Sequence, residues 1–162
     1  MLPPSPVPAL PSARVVTSRS PESTRALAAR LAAVAEPGDV IALTGELGAG
    51  KTQFAKGFAE GLGVHATVNS PSFVLMAEYR GRLPLFHIDL FRLADAAEAY
   101  AAGLLDERQA AGVTLVEWAE RLGPALPLAR LNVQIDGTAD EPRAIRLSTG
   151  EPRLRRYIEV AT

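Results

Sequence analysis

Eight consecutive residues, Gly45-Glu46-Leu47-Gly48-Ala49-Gly50-Lys51-Thr52, fit the pattern GxxxxGK[ST] in full. The chemistry of that pattern is phosphate binding. Glycines allow positive φ and a close approach of the backbone, so that several N–H groups ring the phosphate oxygens at the positive end of a helix. Lys51 in such a loop lies against the β and γ phosphate oxygens as a point charge, and the Thr52 hydroxyl is placed to ligate magnesium. With glycine near 7% of average composition, two fixed glycines, a lysine and a hydroxyl residue meet by chance at under about 1% over a chain of this length. The eight residues therefore enter as candidates for binding a nucleoside triphosphate, with Lys51 also a catalytic candidate and Thr52 a metal ligand.

Hydrolysis needs a further acid to hold the metal shell or orient water. Glu117 ends the apolar run Val113–Val116, so in a parallel sheet it emerges at the same carboxyl edge as the phosphate loop, as a metal-associated acid does. Asp89 ends the run Leu85–Ile88 on the same face as His87, with Arg92 just beyond. The plainer roles are a salt bridge or strand-end cap for either acid and a hydrogen-bonded structural histidine for His87. Two histidines and no cysteine make no ligand cluster of the zinc type. Val68-Asn69-Ser70-Pro71-Ser72-Phe73 is either a turn or a segment that orders around a γ-phosphate. Trp118 reads first as core and second as a partner-facing residue. Arg153, Arg155 and Arg156 read as a solvated face or, less simply, a phosphate contact.

The elements that must position these residues follow from periodicity. Val40–Thr44 is a short apolar run bounded by turn residues, as in a strand covered on both faces, and it feeds straight into the glycine loop. Phe54, Phe58 and Leu62 then recur every fourth residue, predicting a helix from Gly50 to Gly61 that packs on the sheet. Upstream, Arg14–Ser18 reads as a strand, and Ser20-Pro21-Glu22 opens a helix that carries Leu27, Leu31 and Val34 until Pro37-Gly38. Phe73–Arg80 and Leu83–Asp89 predict an antiparallel hairpin, and Asp95–Gly103 a short helix. Leu131–Asp136 alternates and continues through Ile145 and Leu147 as a half-exposed hairpin. The expected fold is a three-layer α/β/α P-loop nucleoside triphosphatase with a mixed, partly antiparallel sheet.

Composition sets the limits. The 162 residues are 48% hydrophobic with a net charge of -1, which lacks the broad positive field of a non-specific nucleic-acid binder. No run approaches the ~18 apolar residues of a membrane span. Residues 1–13 hold five of the 13 prolines and no charged side chain. They read as a disordered leader without the basic and apolar blocks of an export signal, and residues 14–162 as a single domain.

Taken together, GELGAGKT, VNSPSF with downstream Glu78-Tyr79, HIDLFRL at His87–Leu93, and VEW at Val116–Trp118 resemble the TsaE family, also called YjeE, over roughly residues 14 to 150. The resemblance implies a cytoplasmic, magnesium-dependent ATPase of bacterial tRNA threonylcarbamoyladenosine biosynthesis. It further implies partner subunits TsaD and TsaB, whose complex carries out the transfer, with tRNA met only through that complex and no membrane. By matching position, Lys51 and Thr52 are the family's phosphate and magnesium contacts, Glu117 its metal-associated acid, Asp89 its strand-end aspartate and Thr67–Phe73 its switch-like loop. The chain departs from the family pattern at Ser72, where threonine is usual, and at Phe91, where tyrosine is common. Two other readings stay open on the residues alone: a small-molecule P-loop kinase, and an interaction module gated by nucleotide with no significant hydrolysis.

Overall fold

The computed structural model describes residues 2–3, 12–46, 48–71, 75–93 and 107–161. Among them, β1 (Ala13–Ser18), β2 (Val40–Gly45), β3 (Met76–Tyr79), β4 (Leu85–Asp89), β5 (Val113–Glu117), β6 (Leu131–Asp136) and β7 (Arg143–Ser148) form one sheet in the order β1-β7-β6-β2-β5-β4-β3. β2 lies between β5 and β6, parallel to both, and β4 is parallel to β5. β3, β7 and β1 are antiparallel to their neighbours. This is the mixed α/β sheet of a P-loop fold, with both expected hairpins present. β4 and β5 are buried at every residue, whereas β6 alternates buried and solvent-facing positions, because only the middle of the sheet is covered on two sides. The strand expected from Leu83 starts instead at Leu85. Pro84 has no N–H for the ladder and contributes only its carbonyl, to Val113 N at 2.9 Å.

Helix α1 (Pro21–Ala32) starts where the sequence predicts: the Ser20 hydroxyl accepts from Ser23 N–H at 3.0 Å, Pro21 opens the first turn and Glu22 follows. It ends five residues before Pro37. The N–H groups of Val34 and Ala35 reach back only to Leu31 and Ala32, a tightened final turn, and Pro37 biases Glu36 away from helical geometry. Helix α2 (Lys51–Gly61) buries Phe54 and Phe58, whose rings stack at 6.4 Å. It lies close against α1 because Gly57 has no side chain: a Cβ there would be 2.2 Å from Arg25 O. Both helices and α3 (Arg155–Val160) pack with Ile41, Leu43, Leu115, Val133 and Ile145 in one core. On the opposite face, Leu90, Leu93 and the 3₁₀ turns of Ala119–Ala125 cover Ala42, Ile88 and Val116. The expected helix Asp95–Gly103, most of the leader, Leu47, and Ser72 with Phe73 lie outside the described residues. Among those described, no helix is long and apolar enough to cross a membrane.

The basic cluster near the C-terminal end is not the solvated face that its composition suggests. Arg156 pairs with Asp39, a residue only 1% exposed, and donates from Nε to Val34 O at 2.8 Å. Arg153 lies 3.6 Å from the same carboxylate. The Asp39 carboxylate also accepts from the Tyr157 hydroxyl and from Glu36 N–H at 2.9 Å. The C-terminal segment 153–157 is thus tied to one buried acid more than 110 residues earlier, at the end of β2 away from the phosphate loop. Removing the acid strands the buried Tyr157 hydroxyl and the largely buried Arg156 guanidinium. Asp39→Ala is expected to lower the unfolding free energy by about 3 kcal/mol with nucleotide affinity unchanged, as read by urea denaturation beside calorimetry. Burial, and then the hydrogen bond to Asp39, push the Tyr157 hydroxyl well above its ordinary 10.0. The folded state therefore holds that proton more tightly, so this contribution to stability is complete below pH 10 and declines as the pH rises past it.

Candidate functional site

The phosphate loop leaves β2 at Gly45, where only glycine fits: φ is +149° and a Cβ would stand 2.5 Å from Ile135 O on the neighbouring strand β6. The loop ends at a left-handed Gly50 that caps α2 without any side-chain hydrogen bond. Among the described residues no side chain caps the helix start, the usual condition for an anion site. From outside, the Arg143 guanidinium engages the loop's carbonyls, with Nε 2.9 Å from Ala49 O and Nη2 3.4 Å from Gly48 O. The same group donates to Ala139 O at 3.1 Å, so the β6–β7 hairpin braces the loop.

Lys51 is almost fully buried. Its Nζ donates to Gly45 O at 2.6 Å and Glu46 O at 2.9 Å, and lies 4.3 Å from the centre of the Trp118 ring. Burial lowers its pKa below the usual lysine range, with Glu117, Glu120 and Asp89 pulling the other way. An ammonium in this setting is short of charge compensation, which a polyphosphate supplies.

The two acids stand side by side. Asp89 is in register with Glu117 across β4 and β5, and Glu117 with Leu43 across β5 and β2, so all three strands deliver their carboxyl ends to one edge. Asp89 and Glu117 are both buried. The Ser70 hydroxyl donates to Asp89 Oδ2, and Phe91 N–H to Oδ1 at 2.9 Å. Glu117 Oε2 lies 2.6 Å from His87 Nε2. Lys51, Thr52, Ser70, Asp89, Arg92 and Glu117 line one cleft of about 480 Å³. A second cleft of about 370 Å³ shares Gly48, Gly50 and Gln53 with it and runs between Thr24 on α1 and Arg143 on β7.

Trp118 corrects its first reading. It is half-buried at the rim of the cleft, its ring 5.0 Å from that of Phe91 and 5.8 Å from the Arg121 guanidinium. Its φ of +57° is a left-handed conformation costing a bulky residue about 1–3 kcal/mol. That turn carries the chain away from the sheet immediately after Glu117.

Among the described residues no three His, Cys, Asp or Glu side chains converge on a metal-sized point. Magnesium in phosphate sites takes one or two protein ligands and completes its shell with phosphate oxygens and water. The Thr52 hydroxyl with the Asp89 and Glu117 carboxylates on the cleft are a donor set of that kind. Of the residues singled out in the sequence, Gly45, Glu46, Gly48, Ala49, Gly50, Lys51 and Thr52 form the loop and the start of its helix, and Leu47 lies outside the described residues. Asp89, Glu117 and Ser70 join the loop at the cleft. His87 is the hydrogen-bonded, buried histidine that the sequence suggests, and its partner is Glu117; its alternation with Asp89 places it on that face. The link from Arg143 to the loop left none, since its bonds are to backbone carbonyls more than 90 residues away.

A family model described as "Threonylcarbamoyl adenosine biosynthesis protein TsaE" matches residues 18–145. A tRNA threonylcarbamoyladenosine biosynthesis protein TsaE from Bacillus subtilis is 49% identical over 127 residues, covering 78% of this chain and 79% of that protein. The protein of the same name from Treponema pallidum is 37% identical over 131 residues, covering 81% and 97%. A crystal structure of Bacillus subtilis YdiB superposes with a TM-score of 0.75 at 40% identity, covering 91% of this chain and 92% of that one.

Proposed function

We propose, because the chain belongs to the TsaE family, that it is a cytoplasmic ATPase serving tRNA threonylcarbamoyladenosine biosynthesis, and that it works as one subunit of a complex with TsaD-like and TsaB-like proteins. The observation that carries the ATPase part is the pairing of Asp89 and Glu117 in register on the cleft that Lys51 and Thr52 line. ATP lies with its phosphates on the loop and its base and ribose in the neighbouring cleft by Thr24 and Arg143. Lys51 holds the β and γ oxygens, the Thr52 hydroxyl and Glu117 hold magnesium, and Asp89 orients the attacking water. When bound, magnesium neutralises charge developing on the terminal oxygens. The chain's near-zero net charge leaves direct grip on tRNA to the partners. Residues 14–162 act as a single domain.

The Ser70–Asp89 hydrogen bond favours a second reading, in which nucleotide orders the segment around Ser70 for docking and hydrolysis is incidental. Reconstitution with TsaB and TsaD separates the two. The ATPase reading expects phosphate release and modified tRNA to rise together on adding the partners and to fall together in Asp89→Ala. Full modification by that variant, without phosphate release, selects the gated module. Transfer of labelled phosphate to a small acceptor in place of free phosphate selects a kinase.

A further inference from the structure

The geometry points to His87 as a positioning residue for Glu117, holding that carboxylate in the orientation from which it meets magnesium; this rests on the ATPase reading above. His87 is wholly buried and is absent from the lining of the cleft, so it does not touch ligand. Its Nε2 lies 2.6 Å from Glu117 Oε2. A carboxylate only accepts hydrogen bonds, so Nε2 carries the proton and donates it. Nδ1 is buried with no hydrogen-bond partner among the described residues, so the contact with Glu117 is the side chain's one polar tie there.

The strand register explains why a histidine serves here. His87 is opposite Leu115, one pleat before the Asp89–Glu117 pair, and points to the same face. From that position an aliphatic side chain would fill the space and leave Oε2 without a donor. A buried carboxylate with one oxygen unpaired either turns or costs stability. With Oε2 held by His87, Glu117 is restricted to presenting its remaining lone pairs to the cleft. Partners of this kind behind metal ligands typically alter metal affinity or activity by about 10- to 100-fold when removed.

Glutamine and methionine are nearly the same shape, and the Gln Nε2 sits as many bonds from the backbone as the His Nε2. His87→Gln keeps a donor at that reach, and His87→Met removes it while filling the same volume. Calorimetry of nucleotide binding, with and without magnesium, reads the effect apart from turnover. In His87→Met the gain in affinity that magnesium confers is expected to shrink by about 10- to 100-fold, with magnesium-free binding unchanged. In His87→Gln most of that gain should return. The same loss should be nearly absent when His87→Met is placed on a Glu117→Ala background, since two residues acting through one contact are not additive. Equal behaviour of the Gln and Met variants, or an additive loss in the double variant, overturns the proposal. If Glu117→Ala alone leaves magnesium coupling intact, the metal reading of the site fails as well. Should either His87 variant not fold, nitrogen NMR of the wild-type ring decides. A protonated Nε2 whose signal moves when magnesium is added to the nucleotide complex supports the proposal, and an indifferent signal overturns it.

Discussion

Lys51→Ala is expected to weaken Mg-ATP binding by at least about 100-fold, ~3 kcal/mol, the scale of charge-assisted hydrogen bonds to phosphate. The ligand-free protein should unfold at an unchanged or higher temperature. The sign of the second effect follows from the burial of the ammonium. The folded state lowers the Lys51 pKa below its ordinary 10.5, so it favours the neutral amine relative to the unfolded chain. Below that value the charged form costs stability, and the cost disappears only as the pH rises above it. At neutral pH the free protein carries this penalty, and binding a polyphosphate relieves it. A thermal scan tests both halves: nucleotide at 100 times the wild-type dissociation constant stabilises the wild type by about 2.7 kcal/mol and the variant by no more than about 0.4 kcal/mol. Equal nucleotide affinity in the two proteins would remove Lys51 from the site.

The second large effect is on turnover. Glu117→Ala is expected to reduce partner-stimulated hydrolysis by about 100- to 1000-fold, with a smaller change in nucleotide affinity, because the loop amides and Lys51 remain. Alanine also strips the buried His87 of its partner, which could be mistaken for damage to folding. Glu117→Gln separates the two effects: it keeps the volume and an oxygen that accepts from His87, and loses only the charge. Both variants should hydrolyse poorly, and only alanine should also lower the unfolding temperature. Chelating magnesium should bring the wild type down to the rate of Glu117→Gln, whose own rate should barely respond. A glutamine variant that turns over normally would place the essential acid elsewhere.

The phosphate loop was readable because its geometry is made by consecutive residues: the strand before it, the left-handed glycines and the helix after it are all local. The two acids were readable as strand ends, since short apolar runs closed by Asp89 and Glu117 have few other interpretations. Their being side by side was not, because the register between β4 and β5 depends on the packing of the whole sheet. Arg153 and Arg156 were misread for a related reason. Their partner Asp39 lies in a turn more than 110 residues earlier, and nothing in a run of basic residues tells a solvated face from a buried clasp. Trp118 was misjudged because size and hydrophobicity argue for the core, whereas its left-handed backbone turns it to the rim beside Lys51. The end of α1 was missed by a few residues because its last turn tightens before the proline that was expected to stop it.

The strand order also has a consequence for how a ribosome delivers this protein. Among the described strands, β1 lies at the sheet edge and pairs with β7 alone, Ala13 opposite Ser148. Of those strands it is made first, yet its partner β7 is made last. The parallel trio β2, β5 and β4 can assemble earlier around the glycine loop. During translation, β1 therefore waits as an unpaired ribbon carrying Val15 and Val16, a segment for a holding chaperone to cover before closure.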